Sequence, residues 1–311
     1  MSFHASLIAA HPIRKTAAQK AAFRTWALDQ ASALGYAARV ESLGKKDAQQ
    51  NIVIGDPASA KVLFTAHYDT PARNFLPNLM MPRNVFLVIL YQLLVVGVFI
   101  AAAVVLGVGA GMLTGEPAVA GLVAYVVYFG LLFLMLLGPA NKHNANDNSS
   151  GVAAVYDLMA KLPEAVRGKA AFILFDNEEK GLLGSKAYAK AHKEQGEGTL
   201  MVNLDCVGDG DTIIMVVNKL ARELPEVALL EKTLQATEGR KFVMFRSRSG
   251  LLGSDHKNFK RGIMTCACRQ GKHIGYYTPN IHTHKDTWCD EGNLTFLAEG
   301  LSAFVAALPE E

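Results

Sequence analysis

Apolar residues run unbroken through two stretches of this chain and alternate with polar ones almost everywhere else. Residues 84–115 hold no charged side chain, Glu116 and Pro117 follow, and residues 118–141 are again charge-free. Each stretch exceeds the roughly 20 residues that carry a helix across ~30 Å of hydrocarbon. Residues 131–137, Leu-Leu-Phe-Leu-Met-Leu-Leu, have no polar face at all. A helix apolar all round is wholly buried or faces lipid. The connector at 114–117 is so short that the two stretches predict a transmembrane helical hairpin with both ends on one side. Gly107, Gly109 and Gly111 are expected to let the helices approach closely. Arg73, Arg83 and Lys142 flank the outer ends, whereas the spans and connector carry no Lys or Arg. The positive-inside rule then places the rest of the chain on the cytoplasmic side. No secretory leader is expected, because the apolar patch at 6–10 is brief and His11, Arg14 and Lys15 follow it.

The remaining periodicity is that of an α/β protein. A helix is predicted over 16–34, with Thr16 as N-cap, Phe23, Trp26, Ala27 and Leu34 on one face, and Gly35 as its stop. Short strands are predicted at 36–41, 51–54 and 61–66, the last apolar enough to be buried on both faces. After the hairpin, Ser149 is expected to N-cap a helix carrying Val152, Val155, Tyr156 and Met159, stopped by Pro163. Strands follow at 170–175, 200–204, 212–217 and 262–268, and helices at 181–192 and 224–236. A last helix aligns Leu294, Leu297, Leu301, Phe304, Val305 and Leu308 in one stripe. This alternation predicts a three-layer αβα fold with a mostly parallel mixed central sheet, plus the inserted hairpin. The expected organisation is residues 1–82 as the first part of the α/β domain, 83–141 as the hairpin, and 142–311 as the remainder.

Composition narrows the function classes. The chain has 311 residues, 50% of them hydrophobic and 19% charged, with a formal net charge of +3. That near balance gives no reason to expect nucleic acid as a partner. The mean hydropathy of +0.18 comes from the two apolar stretches. Cys206, Cys266, Cys268 and Cys289 form no Cys-x-x-Cys pair and read as reduced residues of an intracellular protein. Cys266 and Cys268 fall on one face of a strand, as two small buried hydrophobes.

The chemistry collects at strand ends. His67 and Asp69 follow the strand at 61–66, Glu178 and Glu179 the one at 170–175, and Asp205 the one at 200–204. His282 lies in the loop beyond 262–268, and Asp147 stands between the hairpin and the next helix. In open α/β sheets the ligand crevice lies at the carboxyl ends of the strands, so these groups can converge. Two imidazoles and three carboxylates without a thiolate suit paired zinc or a similar divalent ion. Of two adjacent glutamates, one can bind metal while the other takes a proton from water.

Six stretches occur in order: His67-x-Asp69; Asn146-Asp147-Asn148-Ser149-Ser150-Gly151; Glu178-Glu179-x-Gly181-Leu182-Leu183-Gly184-Ser185; Asn203-Leu204-Asp205; Ser254-Asp255-His256; and His282-Thr283-x-x-Asp286-Thr287. Together they resemble the co-catalytic zinc aminopeptidases, the family of bacterial leucyl aminopeptidases, aminopeptidase Y and glutamate carboxypeptidase, with glutaminyl cyclases as relatives. The resemblance implies a zinc-exopeptidase-like fold and two divalent ions, Zn²⁺ above all. It implies His67, Asp147 and Asp205 at one ion and Asp147, Glu179 and His282 at the other, with Asp147 as the bridge. It further implies Glu178 as general base and Asp69 as the group that orients His67. His282 rather than His284 falls in register with the family's His-Thr-x-x-Asp-Thr pattern. Asp286 is expected to support that loop, Asp255 and His256 to lie near the substrate pocket, and His143 to be a solvated linker residue.

The implied activity is hydrolysis of N-terminal peptide bonds, on a peptide or small amide. The hairpin, which replaces a modest loop of the relatives, adds the lipid bilayer as a partner. It keeps open an amidohydrolase or dipeptidase acting on a modified or lipid-linked amide, and a non-catalytic membrane scaffold on the same fold. Oligomeric state and side-chain preference are not legible.

Overall fold

The computed structural model describes residues 1–246 and 253–310. Its centre is a mixed nine-stranded sheet: β1 (Ala38–Leu43), β2 (Gln49–Ile54), β3 (Val62–His67), β4 (Ala170–Phe175), β5 (Leu200–Leu204), β6 (Thr212–Val217), β7 (Lys241–Phe245), β8 (Gly262–Gly271) and β9 (Gly275–Tyr277). The strand order is β1-β2-β4-β3-β5-β8-β6-β7, with β9 paired to β8. The central run β4-β3-β5-β8 is parallel. The β1–β2, β2–β4, β6–β8 and β8–β9 pairs are antiparallel. β1 and β2 are separated by only a short turn, and a parallel pairing would need a crossover of a dozen residues or more.

The two-residue period of the strands sorts their side chains into two layers. Phe64, Phe172 and Val202 face one side, in register across β3, β4 and β5. There they pack under α1 (Phe3–Ala10), α2 (Ala17–Ala33), α5 (Ser149–Lys161), α8 (Pro225–Ala236) and α9 (Glu291–Ala307). Leu63, Ile173 and Met201 face the other side, against Tyr188 of α6 (Leu183–Ala191) and Phe259.

Between β3 and β4 the chain leaves this body as α3 (Val85–Thr114) and α4 (Pro117–Leu137). Both are long and apolar enough to cross a membrane. The link is tight because Gly115 takes a left-handed conformation, φ +75°, which ends α3 and lets Pro117 open α4. A Cβ on Gly107 would stand 2.6 Å from the Ala120 carbonyl oxygen, and one on Gly111 2.8 Å from the Ala120 Cβ. Gly109 meets nothing within 4 Å, so two of the three predicted small contacts form. The outer surface is apolar and open: Leu94, Val105, Leu122 and Phe133 are all exposed, and α4 has no buried residue.

The foot of the hairpin is stitched to the sheet. Ala72, leaving β3, forms an antiparallel bridge with Ala140. Arg73 N–H donates to the Pro139 carbonyl at 2.8 Å, and Asn141 N–H to that of Pro71 at 3.0 Å.

Several local expectations are corrected. Asn148, not Ser149, caps α5: its Oδ1 accepts from Gly151 N–H at 2.9 Å. The apolar patch at 6–10 belongs to a helix, α1, which begins after Ser2. The helix expected from 181 starts at Leu183, because Gly181 and Leu182 are left-handed. A short α7 (Lys193–Gly198), β7 and β9 were not legible in the pattern, and β8 continues past 268 as an exposed ribbon.

Candidate metal centre

The site lies at the carboxyl ends of β3, β4 and β5, which deliver His67, the glutamate pair and Asp205, while Asp147 and His282 come from loops. His67 is the last residue of β3, and its imidazole is fully enclosed. Its Nδ1 lies 3.2 Å from the Asp69 carbonyl oxygen. That bond takes Nδ1–H, which leaves the Nε2 lone pair facing the cavity. Nε2 stands 3.3 Å from Asp147 Oδ1 and 3.5 Å from Asp205 Oδ1. On the opposite side, His282 Nε2 lies 2.9 Å from Asp147 Oδ2 and 3.4 Å from Glu179 Oε2. The two oxygens of Asp147 thus face two different imidazoles. Ligand atoms of His67, Glu178 and Asp205 lie within 4.8 Å of one another, as do those of His67, Asp147 and Glu179. All seven residues singled out in the sequence meet here. His284 and His143 are exposed and outside the cluster.

The carboxylates are held from behind. Asp286 Oδ1 and Oδ2 accept from the backbone N–H groups of Asn146 (2.7 Å) and Asp147 (3.0 Å). Asp286 therefore supports the Asp147 segment directly, tying it to the loop that carries His282. Asp69 turns its carboxylate toward the glutamate turn, Oδ1 accepting from Glu178 N–H at 3.0 Å and Oδ2 from Glu179 N–H at 3.3 Å. Ser254 Oγ donates to Asp205 Oδ2 at 2.6 Å and accepts from Asn203 Nδ2 at 2.7 Å. Asn177, Leu182, Cys206 and His282, all with φ between 55° and 60°, adopt left-handed conformations around the site. Such strain costs on the order of 1–3 kcal/mol per residue and clusters at functional sites.

The donor set fits divalent cations. Three of the four imidazole–carboxylate separations, 3.3–3.5 Å, are too long for charged hydrogen bonds of ~2.7–2.9 Å. They match the edge of a tetrahedron whose centre is ~2.0–2.2 Å from each ligand atom. Glu179 Oε1 is buried without a partner. The charge balance agrees. Burial lifts the Glu178 carboxyl well above its usual range and that of Glu179 to about 8, although His67 and His282 oppose this. Burial opposes charge on the imidazoles, yet the surrounding carboxylates hold His67 well above the usual value and His282 at about 9. So many acidic groups need more positive charge than the two rings supply. Asp255 is buried and raised to about 7 by burial, opposed by His67 and a Ser185 hydrogen bond, while burial lowers His256 to about 4.

One functional neighbour escaped the sequence reading. Arg14 is completely buried between α1 and α2. Its guanidinium donates to the carbonyls of Tyr68 (Nε, 2.5 Å) and His11 (Nη1, 2.8 Å) and to Ser149 Oγ (Nη2, 3.0 Å). Burial lowers its pKa to about 10, opposed by Asp69 and Asp147. Arg14 therefore ties the β3 end to the start of α5. A lone arginine beside a short apolar patch offers no signal for this role. His4 Nε2, 2.8 Å from the Ala145 carbonyl, and Asn144 Nδ2, donating to the Pro12 carbonyl at 2.9 Å, join the same segments.

The centre opens into a cavity of about 330 Å³, with Met80, Pro82, Met264 and Ile281 as its apolar wall.

A family model described as peptidase family M28 matches residues 133–305. No curated protein matches the sequence. Among solved structures, a Zn-dependent exopeptidase from Parabacteroides distasonis is similar at a TM-score of 0.62 and 16% identity, over 98% of this chain and 96% of that one. The LapA aminopeptidase of Legionella pneumophila gives 0.61 and 15%, over 99% and 70%. A glutaminyl cyclase of Porphyromonas gingivalis gives 0.60 and 16%, over 98% and 95%. These likenesses show the zinc-exopeptidase type of αβα fold.

Replacing Arg14 by Ala should destabilise the protein by about 3–5 kcal/mol, the range for breaking a buried charge network. Arg14→Lys should recover less than half, because an ammonium cannot reach all three acceptors of the guanidinium fork. Denaturant unfolding of the purified protein reads both.

Proposed function

The chain belongs to peptidase family M28, a metallopeptidase, and we propose that it is a membrane-anchored aminopeptidase with two zinc ions. The observation that carries the two-ion reading is the pair of Asp147 oxygens, one facing His67 and the other His282. In this reading His67, Asp147 and Asp205 hold one ion, and Asp147, Glu179 and His282 the other. Bound zinc supplies Lewis acidity that polarises the scissile carbonyl and lowers the pKa of water toward neutrality. Glu178, beside His67 and Asp205, takes the proton of the attacking water and returns it to the leaving amine. The two backbone bonds from Glu178 and Glu179 to Asp69 keep these glutamates in distinct positions, one as base and one as ligand.

The apolar helices α3 and α4 support anchoring, with their open outer faces in hydrocarbon. Arg73, Arg83 and Lys142 at the hairpin foot favour a cytoplasmic position for the catalytic body. Residues 1–82 and 142–311 then form that body and 83–141 its anchor, with peptide or small amide as substrate.

Glu178→Gln should lower kcat on aminoacyl anilides by about 10²–10⁴-fold, the usual contribution of a general base. Its zinc content should stay that of the wild type, and unchanged turnover would remove Glu178 from this role. Elemental analysis of the purified protein should give about two zinc ions per chain. Asp147→Ala should lose both, whereas His282→Ala should retain one. The intact protein should sediment with membranes and need detergent for release. A version with residues 84–140 replaced by a short linker should be soluble, and spontaneous solubility of the intact chain would contradict the anchor.

A further inference from the structure

A second cavity, of about 460 Å³, opens beside the metal centre. It adjoins the first: Asn78, Met80 and His282 line both. From there it runs along the hairpin, between Tyr91, Val95, Phe99 and Ala102 of α3 and Leu131 and Met135 of α4. Tyr91 to Ala102 covers three turns of helix, roughly 16 Å at ~1.5 Å per residue. One end of this groove is therefore a proposed metal ligand, and the other lies among residues whose neighbours face the bilayer.

The polarity of the lining changes along its length. Near the metal centre the walls offer the amides of Asn74 and Asn78, and Gln92 stands at the entrance to the helical part. The Tyr91 hydroxyl is engaged by the Pro77 carbonyl. Beyond Gln92 the walls of α3 and α4 present hydrocarbon side chains and a thioether, and helix carbonyls there are paired within their own helices. A peptide in that part would leave its own N–H and C=O groups without partners, at a cost of several kcal/mol each in an apolar medium. An alkyl chain has no such groups. The occupant that fits is a hydrocarbon tail.

We propose that the substrate is an amphiphile drawn from the bilayer: an amino acid with a free α-amino group, joined through the scissile amide to a long alkyl amine whose chain lies in this groove. The proposal rests on the aminopeptidase reading above, which puts the free amine at the metal centre and so the tail on the leaving side. Hydrolysis breaks the amide C–N bond, joins the hydroxyl of water to the carbonyl carbon and gives the remaining proton to the amine. The products part by polarity, the amino acid to water and the long-chain amine to the membrane. This accounts for a hairpin groove that shares Asn78, Met80 and His282 with the lining of the catalytic cavity, which mere anchoring does not require.

The test uses the full chain in phosphatidylcholine nanodiscs. Leucine butyl-, octyl- and dodecylamides are compared with leucine p-nitroanilide, whose leaving group is compact. For wild type, kcat/KM against free aqueous substrate should rise by about fourfold per methylene, the equivalent of ~0.8 kcal/mol, until the groove is filled. In Ala102→Phe, which narrows the groove, the dodecylamide-to-anilide ratio should fall at least tenfold. A leucine alkylamide with a diazirine at its chain end should label α3 and α4 at residues around Phe99 and Met135, and Ala102→Phe should reduce that labelling. Hydrolysis of the anilide with no dependence on chain length would overturn the groove and leave the aminopeptidase intact. Labelling of the groove without turnover of any free-amine substrate would uphold the groove and overturn the aminopeptidase. No labelling of α3 and α4, or a leucyl-oligoleucine peptide outcompeting the dodecylamide, would also overturn the hydrocarbon tail.

Discussion

The arrangement depends on Asp147 presenting its two oxygens to two imidazoles that arrive from distant parts of the chain. A carboxylate so placed must be immobilised on every side, and the surrounding structure does this. Asp286 receives its backbone N–H. Asn148 next to it caps α5 and also takes Cys206 N–H, so the Asp147 segment is bonded to the end of β5. Gly151 follows because nothing larger fits: a Cβ there would stand 2.2 Å from the Leu204 carbonyl oxygen. The polar Asn146–Gly151 segment is thus a set of mutually dependent bonds around one carboxylate.

The hairpin enters this arrangement at its tightest point. Its return strand pairs Ala140 with Ala72, five residues after His67, and Asn141 bonds both the Pro71 carbonyl and, through its side chain, that of Thr283. The foot of α4 is therefore hydrogen-bonded to the segments that follow His67 and His282. The insertion is joined to the sheet beside the candidate metal centre, and its groove shares His282 with that centre's cavity.

Buried charge around the site follows one pattern. Arg14 closes the back of the Asp69–Asp147 region, Lys20 bonds Asp176 and Asn177 at the end of β4, and Ser254 bonds Asp205. Arg14 and Lys20 fix segments next to cluster residues, whereas Ser254 holds the carboxylate of a cluster residue itself. The cavity side is left to groups whose electrostatics call for cations. The N-terminal helices α1 and α2 thereby act as a brace on the sheet ends, as well as covering its core.

Much of this was legible in the chain. Local apolar periodicity and strand-length runs disclosed the hairpin, the buried strands β3 to β6 and the stripe of α9, because those signals are carried by burial of adjacent residues. Strand-end placement and ordered motifs brought forward His67, Asp69, Asp147, Glu178, Glu179, Asp205 and His282. What the sequence could not disclose depends on contacts between distant residues. Asn148 caps α5, while the Ser149 hydroxyl accepts instead from Arg14, 135 positions away. Asp286 serves Asp147 because the loop folds back onto the hairpin exit. The weak strands β7 and β9 acquire their conformation from pairing with β6 and β8 rather than from their own composition. The groove exists only where two long apolar helices meet a loop from β3, since a cavity belongs to the packing and to no segment of the chain.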